Sequence, residues 1–313
     1  MSIYLINYLP LFATWYCILQ GQSFLFLVFV FLVIPLLETI LPLPIEILQP
    51  RPKNFIDDII LFSWYPIELI SLILFIYTQQ YSFYDSLTMG LIIGLGINGA
   101  HELIHKGSSM HKWFGRRLLE FSGYGFWEWQ HITFHHRNVG FLIDPATAPK
   151  GMTIYQFVPR CIIGTIKQAL FSQPMRFIVS ISLSFLNILI IFILFGYMAT
   201  SFYISSACMG IIFLEMINYL EHYSLTRQPH EKVSEIHSWD APYTWSSIFL
   251  YKLPFHSDHH MNASKSYPEL RIRNNSPKLL YSYPVMLLAS LIPPLFRKIT
   301  RINTTNTLLG TNK

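Results

Sequence analysis

The chain has 313 residues, of which 52% are hydrophobic, 16% aromatic and only 12% charged, and its formal net charge is +5. Soluble domains carry about 25% charged residues, so this composition excludes an ordinary soluble domain and predicts a membrane protein. The positive charge is not accompanied by a nucleic-acid-binding motif or an aromatic–basic platform, and we expect no nucleic-acid partner.

Six apolar stretches approach the length of about 20 residues that a bilayer-spanning helix needs. In chain order they are residues 2–20, 23–43, 58–78, 84–106, 176–197 and 200–223. The predicted fold is all-α: an integral membrane protein with about six transmembrane helices, forming a single domain over 1–313 with a flexible tail at 302–313. The apolar but proline-rich segment 277–297 is expected to re-enter the membrane or lie on its surface.

Lysine and arginine are confined to one side of the predicted bilayer. None of the 22 Lys and Arg residues falls in the three connections assigned to the other side, at 21–22, 79–83 and 198–199. Positively charged segments face the cytoplasm. Both termini and the long 106–175 loop are therefore predicted on the cytosolic face, or its equivalent, of a bacterial inner membrane, the endoplasmic reticulum or a mitochondrial membrane.

Nine of the twelve histidines form four short clusters on this same face. The clusters HELIH, HITFHH, NYLEH and HSDHH contain His101, His105, His131, His135, His136, His222, His256, His259 and His260. Residues three or four positions apart share one face of a helix, where their nitrogens can converge. Imidazole suits iron, zinc, copper and nickel, and nine nitrogens are too many for one ion. The sequence therefore predicts a pair of metal ions.

Polar side chains inside the clusters are candidates to hydrogen-bond the ligand rings and fix their orientation. These are Glu102, Asn218, Glu221 and Asp258. An alternative is a zinc hydrolase, because HELIH resembles the HExxH motif whose glutamate is a general base. One zinc needs only two or three histidines, which leaves most of the set unexplained. Outside the clusters, His111 and His230 are expected at the solvated surface.

The clusters resemble those of the integral-membrane di-iron hydroxylases and desaturases, and most closely those of the alkane 1-monooxygenases. That family's NxxHExxHK, EHxxxHH, NYxEHYG and HSDHH motifs are similar to residues 98–106, 130–136, 218–224 and 256–260. The similarity continues in IPLLE, HHRNVG, DPATA, HSW and IPPL, at 34–38, 135–140, 144–148, 237–239 and 292–295. It covers nearly the whole chain, in order and at similar spacing.

Two positions depart from the family pattern. Gln130 stands where the family has Glu, and it keeps the ability to hydrogen-bond beside the ligands. Ser224 stands where Gly is usual, and a backbone held at positive φ would resist a serine. His237, in the HSW segment, is a candidate for contact with a ligand or for electron entry.

The resemblance implies that the nine histidines hold two iron ions. With O2 as co-substrate, these would hydroxylate an unactivated, terminal C–H bond of an alkane or fatty acyl chain. An apolar substrate would enter from the bilayer. The residues that share a helix face with His101 and His105 could line its tunnel, or could be ordinary packing residues; they are Leu87, Gly90, Leu91, Gly94 and Ile97.

Electrons are expected from outside the chain, because the sequence has no flavin, haem or iron–sulfur motif and no CxxC pair. The resemblance and the basic cytosolic face imply a soluble rubredoxin- or ferredoxin-like donor, in a possible membrane complex. Two other functions remain open. One is a lipid desaturase or other lipid oxidase with the same metal site. The other is a non-catalytic membrane subunit that retains the fold.

Overall fold

A computed structural model describes residues 2–308, with side chains for residues 2–301, and the regular secondary structure in this range is helical. The described residues form no strands, and the β-type pairing among them is limited to two isolated bridges, Ala148–Tyr223 and Asp240–Lys278. The predicted all-α class is confirmed.

The helices are defined here in chain order. The first five are α1 (Ile3–Leu19), α2 (Leu25–Ile40), α3 (Phe55–Thr78), α4 (Phe83–Ile104) and α5 (Ser109–Phe121). Helix α6 comprises Trp127–Trp129, a π-helical stretch Gln130–His135 and a last turn His136–Asn138. The remaining helices are α7 (Ile154–Ser172), α8 (Pro174–His222), α9 (Thr244–Phe249), α10 (His256–Met261), α11 (Tyr283–Ser290) and α12 (Pro293–Leu308).

Helices α3, α4 and α8 are long and apolar enough to cross a membrane, and α1 and α2 are shorter apolar helices. Helix α8 has 49 residues, or about 74 Å at 1.5 Å per residue, whereas a bilayer core is about 30 Å thick. Its backbone leaves the helical region at Gly196, with φ 79° and ψ −176°, which a residue without Cβ adopts readily. The break lies next to the predicted 198–199 connection. The count of six spans stays a prediction.

The starts of α3 and α4 are set by side chains. Asn54 accepts a hydrogen bond from the Asp57 backbone N–H at 3.2 Å, and the Asp57 carboxylate accepts one from the Asn54 N–H at 2.9 Å. Ser82 and Asp85 form the same reciprocal pair. Such capping boxes satisfy the free N–H groups of the first helical turn. A start at Phe83 places His101 in the last turn of the 22-residue helix α4.

The chain divides into two compact units. The first comprises the residues up to Val30, Asn54–Ile132 and Thr165–Leu214, and the second comprises Phe31–Lys53, Thr133–Gly164 and the residues from Glu215. Each unit is assembled from three separated stretches of the chain. The prediction of a single domain over 1–313 stays a prediction.

In the first unit, α4 and α8 pack closely at glycines. A Cβ added at Gly90 would lie 2.5 Å from Met209 Cβ, and one at Gly210 would lie 3.2 Å from the Gly90 carbonyl oxygen. A Cβ at Gly94 would meet Phe213 Cβ at 3.6 Å. Small residues let helix backbones approach in this way. The glycines on the candidate tunnel face therefore make room for a neighbouring helix rather than for a substrate, and the packing alternative holds there.

In the second unit, the proline-rich segment 277–297 forms the eight-residue helix α11 and the start of α12. Pro284 lies in the first turn of α11, and Pro293 and Pro294 open α12, positions that need no backbone N–H donor. Eight residues cannot cross a bilayer. Helix α12 continues to Leu308, into the tail 302–313 that was expected to be flexible, and residues 309–313 lie outside the described part of the chain.

Candidate metal centre

Three of the nine histidines converge within the first unit. His101 and His105 lie at the end of α4, and His131 lies in the π-helical stretch of α6. The Nε2 atoms of His105 and His131 are 3.2 Å apart, and the His101 ring centroid lies 4.7 Å from that of His131. The indole ring of Trp127 stacks on the His131 ring at 4.2 Å, with an interplanar angle of 21°.

Four other histidines form a buried group within the second unit: His135, His222, His256 and His260. One ligand atom from each lies within 4.8 Å of the others. The Nε2 of His256 is 3.2 Å from that of His222 and 3.0 Å from that of His260, and the Nε2 of His260 is 3.3 Å from that of His135. We call these residues the four-histidine group.

These separations fit a shared metal ion. Two nitrogens bound at about 2.1 Å to one ion, with an angle of about 90–105° between the bonds, lie about 3.0–3.3 Å apart. A neutral imidazole has only one N–H, so the three short contacts among these four nitrogens cannot all be hydrogen bonds at once. Burial lowers the pKa of His260 well below its ordinary value, and the neighbouring histidines lower it further. The neutral ring is the form that binds metals.

Neighbouring histidines in the sequence are directed to different partners. His136 does not belong to the four-histidine group, and its Nε2 lies 3.2 Å from that of His259. Successive residues on an α-helix point about 100° apart, so His135 and His136, or His259 and His260, cannot face one point together. The spacing alone did not assign these partners.

Two buried carboxylates lie against ligand rings of the four-histidine group. Asp144 Oδ2 is 2.9 Å from His135 Nδ1 and also accepts a hydrogen bond from the Thr147 hydroxyl at 2.9 Å. Glu221 Oε1 lies 3.3 Å from His256 Nδ1 and accepts a hydrogen bond from the Tyr283 hydroxyl at 3.0 Å. Sequence reasoning named Glu221 but missed Asp144, although the DPATA segment that contains it was the available signal.

Helix α10, which contributes His256, His259 and His260, has only six residues and would be marginal alone. Its buried Asp258 accepts hydrogen bonds from Lys265 Nζ at 2.8 Å and Arg273 Nε at 2.6 Å. The adjacent Ser257 donates to the Asp240 carboxylate from both its N–H and its hydroxyl, each at 2.8 Å. Asp258 thus anchors the helix to a basic loop, and Asp240, which sequence reasoning did not identify, anchors it from another side.

The structure also gives the surroundings of three other polar residues that the sequence predicted beside the ligands. Glu102 lies 3.7 Å from Lys106 Nζ, one helical turn away. Asn218 donates a hydrogen bond to Glu215 at 3.0 Å. Gln130 is buried, and its Nε2 has no hydrogen-bond acceptor among the described residues.

Of the three remaining histidines, His111 and His230 lie outside these groups, whereas the backbone of His237 contacts the His222 ring. The expectation of a solvated surface is wrong for His111, which is buried, with its Nε2 2.9 Å from the Asp58 carboxylate and its ring 5.0 Å from that of Phe62. It is confirmed for His230, which is exposed. His237 is buried, and its Nδ1 accepts a hydrogen bond from the Ser234 N–H at 3.0 Å.

The Ser224 backbone has a φ of 64°, the left-handed region that favours glycine. Its N–H donates to the Ala148 carbonyl at 2.8 Å, which ties the chain just after His222 to the segment that follows Asp144. The family's glycine at this position therefore has a physical reason.

An apolar crevice of about 350 Å³ lies within the first unit, between α3 and α8. Its apolar walls include Leu69, Leu72, Ile73, Leu183, Leu186 and Ile190, and its polar lining residues include Arg117, Glu120 and Asn187. The five residues on the candidate tunnel face of α4 are not among its lining residues. The crevice offers an apolar surface that a hydrocarbon chain could occupy.

Known proteins resemble this chain over most of its length. The family model described as fatty acid desaturase matches residues 82–286. An alkane 1-monooxygenase of Acinetobacter baylyi is 29% identical in an alignment of length 300 that covers 86% of this chain and 73% of that protein. Alkane 1-monooxygenase 1 of Pseudomonas aeruginosa is 32% identical in an alignment of length 233 that covers 68% of this chain and 61% of that protein. Alkane 1-monooxygenase 1 of Alcanivorax borkumensis is 29% identical in an alignment of length 297 that covers 85% of this chain and 74% of that protein.

Proposed function

This chain belongs to the fatty acid desaturase family and is an oxidoreductase related to alkane 1-monooxygenases, and on that premise we propose that it hydroxylates a terminal C–H bond of an alkane or fatty acyl chain. The observation that carries the proposal is the four-histidine group. The three short contacts among its four buried nitrogens cannot all be hydrogen bonds,, whereas one ion would account for all of them.

We propose that the metal is iron and that two ions bind. His135, His222, His256 and His260 would hold one, and His101, His105 and His131 would be ligands of the other. His136 and His259 complete the proposed set of nine ligands. When bound, iron supplies the activation of O2 and the two-electron oxidation of the substrate. The protein supplies ligands, orientation and the exclusion of water.

The carboxylates beside the four-histidine group would fix the rings for metal binding. Asp144 accepts the Nδ1–H of His135, which leaves Nε2 free of a proton and able to bind the ion. Glu221 lies 3.3 Å from His256 Nδ1 and would orient that ring by its negative charge. Such partners fix the tautomer and raise the basicity of a ligand. The burial of all four ligand rings excludes water from the chemistry,.

The membrane setting supports an apolar substrate. Because the apolar helices α3, α4 and α8 indicate membrane integration, a hydrocarbon dissolved in the bilayer reaches the protein without crossing water. We propose that the crevice between α3 and α8 holds such a chain, that the protein spans the membrane several times, and that the metal site faces the cytosol. Electrons would come from a rubredoxin- or ferredoxin-like carrier.

The test is metal analysis followed by product analysis. Detergent-purified protein is expected to contain about two irons per chain, and the His260→Ala variant about one or none. His111→Ala is the matched control, because His111 is also a buried histidine paired with a carboxylate but lies outside the clusters, and it should keep both irons. One zinc in place of iron would overturn the proposal.

Octane and a long-chain fatty acid, each with reduced rubredoxin and O2, then test the reaction. Gas chromatography with mass spectrometry should detect a terminal alcohol or a terminally hydroxylated acid. An alkene would assign the chain to the desaturase alternative. An iron-loaded protein that forms neither product would favour the non-catalytic subunit.

A further inference from the structure

A patch of cationic and aromatic side chains lies beside the histidines of the first unit. The guanidinium groups of Arg176 and Arg116 lie over the Trp129 ring, 3.6 and 5.4 Å from its centroid. Arg176 is exposed, the Arg116 side chain is 39% exposed and Trp129 is half-buried. We call Arg116, Trp129 and Arg176 the Arg–Trp patch.

The patch carries surplus positive charge. Arg116 is neutralised by the buried Glu128, which accepts hydrogen bonds from its Nε at 2.8 Å and its Nη2 at 3.0 Å. Among the described residues, neither Arg176 nor Lys112 has a carboxylate partner. Lys112 precedes Arg116 by one turn on the same face of α5. An acidic surface would therefore find two uncompensated cations here.

The patch is directly connected to a histidine of the candidate metal centre. Trp129 precedes His131 by two residues on α6. On the other side of that helix, the buried Trp127 stacks face to face on the His131 ring and lies edge-on to His101 at 6.0 Å. The Trp129 and Trp127 rings thus lie on opposite sides of the short segment that leads from the exposed patch to His131.

We propose that the Arg–Trp patch is the docking site for an acidic one-electron carrier protein, and that electrons enter the metal centre by way of Trp129, Trp127 and His131. The inference rests on the proposed function and adds the surface at which the electron carrier would bind. Cation–aromatic contacts hold the ring in place, and complementary charge accelerates encounter. A small patch suits the weak, transient interfaces of electron-transfer pairs.

The electron balance sets the number of encounters. Each reduced carrier that docks loses one electron. Two encounters, with two protons and one O2, oxidise R–H to R–OH and release one water. The carrier must therefore dock, deliver and leave twice per turnover, which a weak and mainly electrostatic site allows.

The first experiment measures docking without catalysis. Oxidised rubredoxin is titrated onto the iron-loaded protein in detergent at low and high salt. Arg176→Glu should raise the Kd about tenfold at low salt, with the difference shrinking at high salt because ionic screening weakens it. Lys232→Glu is the matched control, an exposed charge reversal in the second unit, and its Kd should stay within about twofold of wild type. Equal Kd values for Arg176→Glu and wild type would overturn the docking site.

The second experiment separates docking from electron entry. Trp127→Leu should leave the Kd for rubredoxin unchanged and slow the oxidation of reduced rubredoxin at least tenfold in stopped flow. Trp127→Phe keeps an aromatic ring against His131 and should restore most of the rate. An unchanged rate in Trp127→Leu, with both irons present, would overturn the path.

Three further outcomes are distinguished. Dithionite as a small diffusible reductant bypasses the carrier, so variants that form alcohol with dithionite retain the proposed function even if the docking inference fails. No alcohol from iron-loaded wild type with either reductant is a failure of the proposed function itself. If Arg176→Glu leaves rubredoxin binding unchanged but lowers the amount of anionic lipid that stays bound to the detergent-purified protein, the patch is a lipid contact and the inference is wrong.

Discussion

The two units position their histidines by different means. In the first, His101 lies on, and His105 directly follows, a 22-residue helix that starts at a capping box and packs against α8 through glycines. In the second, three histidines lie on the six-residue helix α10, which buried Asp258 and Asp240 hold in place. A long helix positions a ligand through its own hydrogen bonds and packing. A short helix needs charged anchors, and the four-histidine group depends on them.

The most severe test of this contrast is Asp258→Ala. The substitution removes the carboxylate that Lys265 and Arg273 share, so that α10 is no longer anchored. Breaking a buried ion pair costs about 3–5 kcal/mol of stability. We expect a large fall in Tm and loss of metal. Glu102→Gln in the first unit keeps a side chain whose amide oxygen can still accept a hydrogen bond from Lys106 Nζ, 3.7 Å from the Glu102 carboxylate, and should lower Tm less. Equal losses of Tm would remove the contrast.

A buried lysine in the second unit gives a pH-dependent test. Lys252 is fully buried, donates to the Pro268 and Leu270 carbonyls at 2.8 and 2.9 Å, and has a pKa that burial lowers to about 8. The unfolded chain keeps the ordinary lysine pKa and so binds more protons, and stability therefore rises with pH between about 8 and 10.5. The gain reaches about 3 kcal/mol.

Thermal unfolding of wild type and Lys252→Met at pH 7 and pH 10 checks this. Wild type should gain stability relative to the variant as the pH rises, because the variant has no lysine to deprotonate. A constant difference in Tm between the two proteins would mean that Lys252 does not titrate in this range.

The carboxylate beside a ligand is tested by Asp144→Asn. Loss of such a partner weakens metal binding about 10- to 100-fold, and we expect this change in the iron affinity measured with a competing chelator. Asp58→Asn is the matched control in the first unit, because Asp58 contacts His111 at the same 2.9 Å without any clustered histidine. It should leave iron affinity unchanged, and a weakened affinity in that variant would contradict the assignment.

The smallest expected effect is a stabilisation by Ser224→Gly. The left-handed backbone costs a residue with Cβ about 1 kcal/mol, and glycine relieves it, so Tm should rise slightly. Gln79, at φ 54° after α3, is the equivalent position in the first unit, and Gln79→Gly should have a similar effect. A fall in Tm for Ser224→Gly alone would indicate that the serine side chain contributes contacts.

The sequence by itself determined the membrane class, the all-α fold and the family. These follow from composition and from motif order, both of which can be read without knowing how the residues pack. The helix break near 198–199 was also predictable, because Gly196 is a local signal. In contrast, the sequence misplaced His111 on the surface, since burial beside Asp58 and Phe62 depends on residues about 50 positions away.

Only the tertiary structure decided which partner each histidine meets. His135 and His136 are adjacent in the chain, yet one joins the four-histidine group and the other meets His259, because successive helical residues point in different directions,. The anchor Asp240 is 17 residues from Ser257 and 36 from Ser276, both of which it contacts, and no periodicity reveals it. Motifs indicate which chemistry a chain can perform, whereas contacts between residues distant in the sequence determine which atoms share a site.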